Sequence, residues 1–351
     1  MERLNGLALT GATVYCSPEE EPLRDAAILV RRGNIADVGA RRVVEIPEAT
    51  QVIDCRGCAI TAGFWNSHVH FHERKWTNVE LIPARELESQ LEGLTHYGFT
   101  SVFDLSSRWE NTRRLRDRIE SGEVRGPHIR STGEGLIPVG GLPSAEVFRV
   151  LGLMETPLPE AIRAAVEEAH RFGKPVFAHP NSAPDVLAAI DGGVDIIAHT
   201  TPRSGAWGED VVVGMKSCGA ALVPTLMVWK SMMRHDRISI AEELVGTAVA
   251  QLRAWLERGG TVLFGTDLGA VDYDPSDEYA LMAQAGATFR QILASLTTLP
   301  AQRFDASSNS GKIAVGNSAD LVVLDKDPAK DVRAFAAVRC TLRAGEIIYR
   351  A

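Results

Sequence analysis

In the run Thr61-Ala-Gly-Phe-Trp-Asn-Ser-His-Val-His-Phe71, an apolar stretch ends on His68 and His70, two residues apart. Two is the side-chain period of an extended strand, so both imidazoles project to one face. Two neutral ring nitrogens aimed at one point begin a site for zinc or a similar transition metal, and an apolar core gains nothing from them. A His-x-His pair alone also fits a half-exposed strand, because short motifs recur by chance. The rest of the chain decides between the two.

Two further apolar runs end in the same way, Lys174-Pro-Val-Phe-Ala-His179 and Val194-Asp-Ile-Ile-Ala-His199. A third, Thr261-Val-Leu-Phe-Gly-Thr-Asp267, ends on a carboxylate. Each is a short buried-strand pattern with a metal-ligand residue at its C-terminal end. Singly, His179 or His199 reads as a histidine bonded to backbone. Jointly, four imidazoles and a carboxylate at strand ends point to one pocket. A parallel barrel is the architecture that gathers the C-terminal ends of many strands around a site.

What would bring these residues together follows from the patterning. Residues 1–57 alternate apolar and polar in short strands broken by Gly11, Gly33, Gly39 and Pro47. From 58 to 311 apolar strands alternate with amphipathic helices, the pattern of repeated βα units. Helices are predicted at Pro83–Tyr97, Asn111–Gly122, Pro159–Phe172, Ala183–Asp191, Glu209–Cys218, Ile240–Arg258, Pro275–Gln284 and Thr288–Leu296. Strands between them include Thr100–Leu105, His128–Gly133 and Ala221–Leu226, giving seven in the barrel region, with an eighth expected between Gly141 and Pro159. From 312 to 351 the sheet pattern returns. The reading is an α/β chain, a (β/α)8 TIM-like barrel inserted into a small β-sandwich built from both termini.

Composition agrees. A chain of 351 residues suits a barrel of roughly 250 residues plus a modest second domain. With 37 Lys and Arg against 45 Asp and Glu, the net charge of −8 offers no basic field to nucleic acid or an anionic membrane. No apolar stretch approaches the roughly 18 to 20 residues of a membrane span, and Met1-Glu-Arg-Leu-Asn-Gly6 lacks the apolar core of a secretory signal. A cytoplasmic location is expected, and a homo-oligomer is compatible with the chain. Cys16, Cys55, Cys58, Cys218 and Cys340 are odd in number and scattered, which argues against a disulfide framework. Cys55-Arg-Gly-Cys58 has metal or redox spacing but no second pair, and it reads as structural.

The chain resembles the amidohydrolase superfamily over nearly its whole length, and in particular its imidazolonepropionase-like and prolidase-like branch. The resemblance rests on the His68 and His70 segment, Gly98-Phe-Thr-Ser-Val-Phe-Asp104, the stretches ending at His179 and His199, Gly265-Thr-Asp267, and the tail Gly311-Lys-Ile-Ala-Val-Gly-Asn-Ser-Ala-Asp-Leu-Val-Val-Leu-Asp325. It implies one or two divalent ions, zinc above all, with His68, His70, His179, His199 and Asp267 as metal ligands. Most binuclear members carry a carbamylated lysine on the fourth strand that bridges the metals. Here Arg149 stands nearest that position, and a guanidinium has no lone pair to offer. Glu155 is the alternative bridge, although an acid before Thr-Pro-Leu-Pro also suits a helix N-terminus. The short interval from Gly141 to Pro159 suggests an irregular barrel at strand four.

Such a site lowers the pKa of bound water from about 16 to about 7 and polarises a carbonyl. Asp267 is expected to take the proton of that water and pass it to the leaving nitrogen. With two metals, His68, His70 and Asp267 hold one, and His179 and His199 the other. With one, His179 joins the first set and His199 stabilises the oxyanion. His72 and Glu73 read as a solvated loop, His128 lies at the wrong strand end, and Asp104 divides between a structural bond and substrate contact. Trp76, Trp207 and Trp229 follow strand ends and are candidates for an apolar wall.

The expected activity on a small-molecule substrate is hydrolysis of an amide-type C–N bond in a dipeptide, N-acyl amino acid, amide or carbamate. The alternatives are a mononuclear hydrolytic deaminase of a nitrogen heterocycle and a catalytically silent binding homologue.

Overall fold

The computed structural model describes residues 6–135, 159–232, 238–270, 274–305 and 310–351. The N-terminal strands are β1 (Leu7–Tyr15), β2 (Leu23–Arg31), β3 (Asn34–Ala40), β4 (Gln51–Asp54) and β5 (Ala59–Ala62). The parallel wall that follows contains β6 (Phe64–Val69), β7 (Phe99–Asp104), β8 (His128–Ser131), β9 (Phe177–Ala178), β10 (Ile196–Ala198), β11 (Ala221–Val223) and β12 (Thr261–Val262). β13 (Leu321–Leu324), β14 (Val338–Arg343) and β15 (Glu346–Arg350) close the chain.

The expected sandwich takes the form of a single hydrogen-bonded sheet of eight strands, ordered β15-β14-β13-β5-β1-β2-β3 with β4 beside β1. β13 lies antiparallel to β5, with Leu321 opposite Ala62, and so joins the two chain ends. Both strands are buried at every position and have no polar face to give to water, which places them in the middle of the sheet. Leu321 and Val323 join Leu9, Ile28 and Ile60 in the sheet's own apolar cluster, whereas Val322 and Leu324 pack with Phe64 and Phe99 in the core of the parallel wall. Cys55 and Cys58 are free thiols buried in the first of these clusters.

The parallel strands form two arcs, β6-β7-β8 and β12-β11-β10-β9. The arcs meet just beyond β12. There the Ser67 N–H donates to Phe264 O (2.7 Å), His70 N–H to Leu268 O (2.8 Å) and Asp267 N–H to His68 O (2.8 Å). Seven strands therefore run in the order β8-β7-β6-β12-β11-β10-β9. No ladder joins β8 to β9 among the described residues, and the eighth strand expected between Gly141 and Pro159 falls outside them.

The helices are α1 (Ala84–Thr95), α2 (Trp109–Glu120), α3 (Pro159–Arg171), α4 (Ala183–Asp191), α5 (Glu209–Ser217), α6 (Leu226–Ser231), α7 (Ile238–Glu257), α8 (Ser276–Gln284), α9 (Phe289–Leu296) and α10 (Thr298–Phe304). In α1, Leu87, Leu91 and Leu94 recur at helical spacing and are buried against the wall. Ser182 caps α4 by accepting from the Asp185 N–H, and Thr288 with Gln291 forms a capping box on α9. The strand predicted at Ala221–Leu226 stops at Val223, because Pro224 has no N–H to continue a ladder; α6 then starts at Leu226. None of the described helices is long and apolar enough to cross a membrane.

Candidate metal centre

β6 delivers two imidazoles to the seam between the arcs. His68 Nε2 and His70 Nε2 stand 3.1 Å apart, and Asp267 Oδ1 lies 3.0 Å from the first and 2.8 Å from the second. His199 follows β10, and its ligand atom lies within 4.8 Å of those of His68 and Asp267. His179 follows β9 and stands edge-on to His199, with ring centroids 4.6 Å apart. The structure thus brings all five strand-end residues to one end of the wall. His68, His70, His199 and Asp267 are buried, whereas His179 is exposed at the mouth.

The backbone bends sharply to achieve this. His199 (φ 74°) and Asp267 (φ 63°) both lie in the left-handed region, where a side chain other than glycine is uncommon. His199 directly follows β10, and Asp267 lies five residues past the end of β12. Two residues past Asp267, Gly269 (φ 103°) passes so close to His70 O that an added Cβ would stand 2.1 Å from it.

A hydrogen bond on the far side of its ring fixes the tautomer of His70. His70 Nδ1–H donates to Leu105 O (2.5 Å), so Nε2 carries the lone pair and faces the carboxylate. His199 Nδ1 meets Thr225 Oγ1 at 2.6 Å, which leaves its Nε2 for the cluster. A lone pair facing a carboxylate oxygen at 2.8 Å requires a cation, either a proton or a metal. His68 Nδ1 is buried without a hydrogen-bond partner among the described residues. A set of imidazoles and one carboxylate is the donor chemistry that zinc and similar divalent ions take. The residues fit such an ion.

Charge follows the same logic. Burial lowers the pKa of His68, and burial with the neighbouring His179 and His68 rings holds His199 well below the ordinary imidazole value. The protein packed around the His179 ring, together with the neighbouring His68 and His70 rings, pulls its pKa down to about 4. For His70 burial acts downward, but the Asp267 carboxylate outweighs it and the net direction is up. Burial alone would raise Asp267; His68 and His70 overcome it and keep the carboxyl well below its usual range. The cluster presents mainly neutral imidazoles around one ionised carboxylate.

Several further polar residues hold this arrangement. Asp104 is structural, accepting from the Phe71 N–H (3.0 Å) and from the hydroxyls of Ser107 (2.5 Å), Thr112 (3.1 Å) and Ser131 (2.7 Å). Gln251 on α7 clasps the turn after His199, accepting from the Thr201 N–H (2.8 Å) and donating to Thr201 O (3.0 Å). Trp207 Nε1–H donates to Thr201 Oγ1 (2.7 Å) and Trp229 Nε1–H to Thr200 Oγ1 (3.0 Å). Trp207 is buried, as is Trp76 beside Phe71, so neither is a free wall; Trp229 is half-buried.

His72 is exposed on the loop after β6, as expected, with its ring tilted against that of His70 at a centroid distance of 5.1 Å, and Glu73 pairs with Lys75. His128 binds Glu120 at the opposite strand end. Arg149 and Glu155 lie outside the described residues. Asn66, a polar residue directly after the apolar Phe64 and Trp65 of β6, is the sequence signal for a supporting residue.

The model of the amidohydrolase family matches residues 156–348. Ochratoxinase of Aspergillus niger is 23% identical over 396 residues, spanning 90% of this chain and 80% of that protein. Its crystal structure superposes with a TM-score of 0.79, covering 99% of this chain and 96% of that one at 19% identity. A Xaa-Pro dipeptidase with methionine bound in its active site gives a TM-score of 0.81 at 19% identity, covering 99% and 100%. A prolidase complexed with N-methylphosphonate-L-proline gives 0.78 at 24% identity, covering 99% and 100%. At these identities the superpositions speak for the fold.

Proposed function

Because this chain belongs to the amidohydrolase family, hydrolases acting on carbon–nitrogen bonds, we propose that it cleaves an amide-type C–N bond with the aid of one or two divalent metal ions, zinc being the ion its donor set suits. The observation that carries the reading is the meeting of His68, His70 and Asp267 atoms within 3.1 Å of one another, with His199 beside them. The closed (β/α)8 barrel, spanning 58–311 between β segments 1–57 and 312–351, is part of the same reading.

A bound ion would supply water that ionises near neutral pH and a positive charge beside the substrate carbonyl. Asp267 takes the proton of the attacking water and hands it to the leaving nitrogen as the C–N bond breaks. In the one-ion reading, His199 takes the place first given to His179. Its ring atom lies within 4.8 Å of those of His68 and Asp267. His179, at the mouth, is then left to donate to the developing oxyanion. In the two-ion reading His179 and His199 hold the second ion, with Glu155 the candidate bridge.

The substrate class is a dipeptide or N-acyl amino acid, with related amides and carbamates next. The named relatives, an ochratoxinase and Xaa-Pro dipeptidases, support that choice. The test is amine release from a panel of Xaa-Pro dipeptides, N-acyl amino acids and carbamates, before and after chelation and on zinc return. The reading predicts turnover that chelation removes and zinc restores. Ammonia release from amino-heterocycles alone would favour the deaminase, and a chain inert on both panels would favour a silent homologue.

A further inference from the structure

We propose that Glu278 is a positioning residue for His199, acting through Thr225. The inference rests on the reading of His199 as a ligand of the metal centre. Glu278 lies on α8 and is 1% exposed. Its two carboxyl oxygens accept from the N–H groups of Leu226 (2.7 Å) and Met227 (2.8 Å), the first two residues of α6. No ion pair involving Glu278 occurs among the described residues. A buried carboxylate without a cation is unfavourable, and a short helix is ordinarily capped by a side chain of its own preceding residue. Here that residue, Thr225, makes no cap bond.

The hydroxyl of Thr225 is engaged elsewhere. Its Oγ1 meets His199 Nδ1 at 2.6 Å, and its backbone is left-handed (φ 42°, ψ 54°), a conformation that β-branched residues rarely adopt. By gripping the next two N–H groups, Glu278 fixes the peptide that follows Thr225 and holds the strained turn. The hydroxyl is thereby kept on the His199 ring, and His199 Nε2 is kept on the cluster. A carboxylate suits this task because it offers a separate oxygen to each of two successive N–H groups, whereas a neutral amide in the same pose turns its NH2 donor toward one of them.

The experiment uses full-length protein loaded with cobalt(II), comparing Glu278→Gln, Thr225→Val and Thr225→Ser with the wild type. Three quantities are read: cobalt affinity by chelator competition, the visible absorption of the bound cobalt, and the melting temperature. Loss of an outer-shell partner weakens metal binding by about 10- to 100-fold. Glu278→Gln and Thr225→Val are expected to lose about tenfold or more with a shifted spectrum, and Thr225→Ser, which keeps the hydroxyl, to stay near wild type. A Glu278→Gln protein with a lower melting temperature but wild-type affinity and spectrum would overturn the proposal and leave Glu278 as a simple helix cap. If that variant does not fold, Glu278→Asp is read by the same two outcomes. Wild-type protein that takes up no cobalt would instead refute the metal reading itself, and this inference with it.

Discussion

Asn66 and Thr266, 200 positions apart in the chain, share a buried hydrogen bond of 2.6 Å from Asn66 Nδ2–H to Thr266 Oγ1. Asn66 Oδ1 also accepts from the backbone N–H groups of His68 (3.2 Å) and Thr266 (3.1 Å). One side chain pins the segments that carry His68 and Asp267 across the seam of the wall. Asn66→Ala removes the bonds of Asn66 to the buried His68 N–H and to the Thr266 N–H and hydroxyl, the last of which keeps the Leu268 N–H, and should lower unfolding free energy by about 2 kcal/mol. Urea unfolding measures this. A loss below about 1 kcal/mol would show that the seam does not depend on Asn66.

Asp267 is buried, ionised and in contact with two imidazoles. Asp267→Asn is expected to lower kcat by about 10²- to 10⁴-fold, with the circular dichroism spectrum unchanged. A variant with a near-normal rate would remove Asp267 from its role as the proton acceptor.

Much of this site was legible because strand chemistry is local. His68 and His70 declare a shared face by their spacing, and His179, His199 and Asp267 each close an apolar run. The supporting residues were not legible, because their partners lie far away in sequence. Glu278 reaches its N–H partners from 51 and 52 positions downstream, and Gln251 reaches Thr201 over 50. Asp104 was visible as a strand-end acid, but its four partners come from β8, α2 and the loops around β6 and β7, which only the fold assembles. In the fold, long helices such as α7 emerged within one or two residues of expectation. The two-residue strands β9 and β12 carry little period of their own, and the six-residue α6 and the seven-residue α10 were too short to announce themselves. Pairing of β5 with β13 depends on contact between chain ends, which periodicity does not encode.

Glu278 also gives the protein a pH dependence. Burial pushes its pKa from 4.5 up to about 7, and the two N–H bonds only partly oppose that. A carboxyl raised in the folded state binds its proton there when the unfolded chain has released it. Stability therefore falls as pH rises from about 4.5 to about 7 and levels off above. Of the groups beside it, the Tyr279 hydroxyl stays protonated throughout this window. Relative to wild type, metal-free Glu278→Gln should gain on the order of 3 kcal/mol between pH 5 and pH 8. Parallel stability curves by chemical unfolding would contradict this.

Trp229 is half-buried and donates to Thr200, the residue after His199. Trp229→Ala removes an indole face and a brace on the His199 turn together. It is expected to lower kcat/KM about tenfold for substrates bearing an aryl or bulky acyl group, and less for small ones. Equal effects across the series, or none, would count against Trp229 as a wall of the substrate pocket.

On the proposed function, the strand-end histidines and Asp267 hold a catalytic metal. Elemental analysis of protein purified without chelators and supplemented with zinc tests it most directly. The account predicts one or two equivalents per chain in the wild type, and a clear loss in His68→Ala and His199→Ala proteins that remain folded. Two equivalents would make Glu155 the first bridge to replace, whereas one would select the set of His68, His70, His199 and Asp267. A folded wild-type chain that retains no metal would contradict the account.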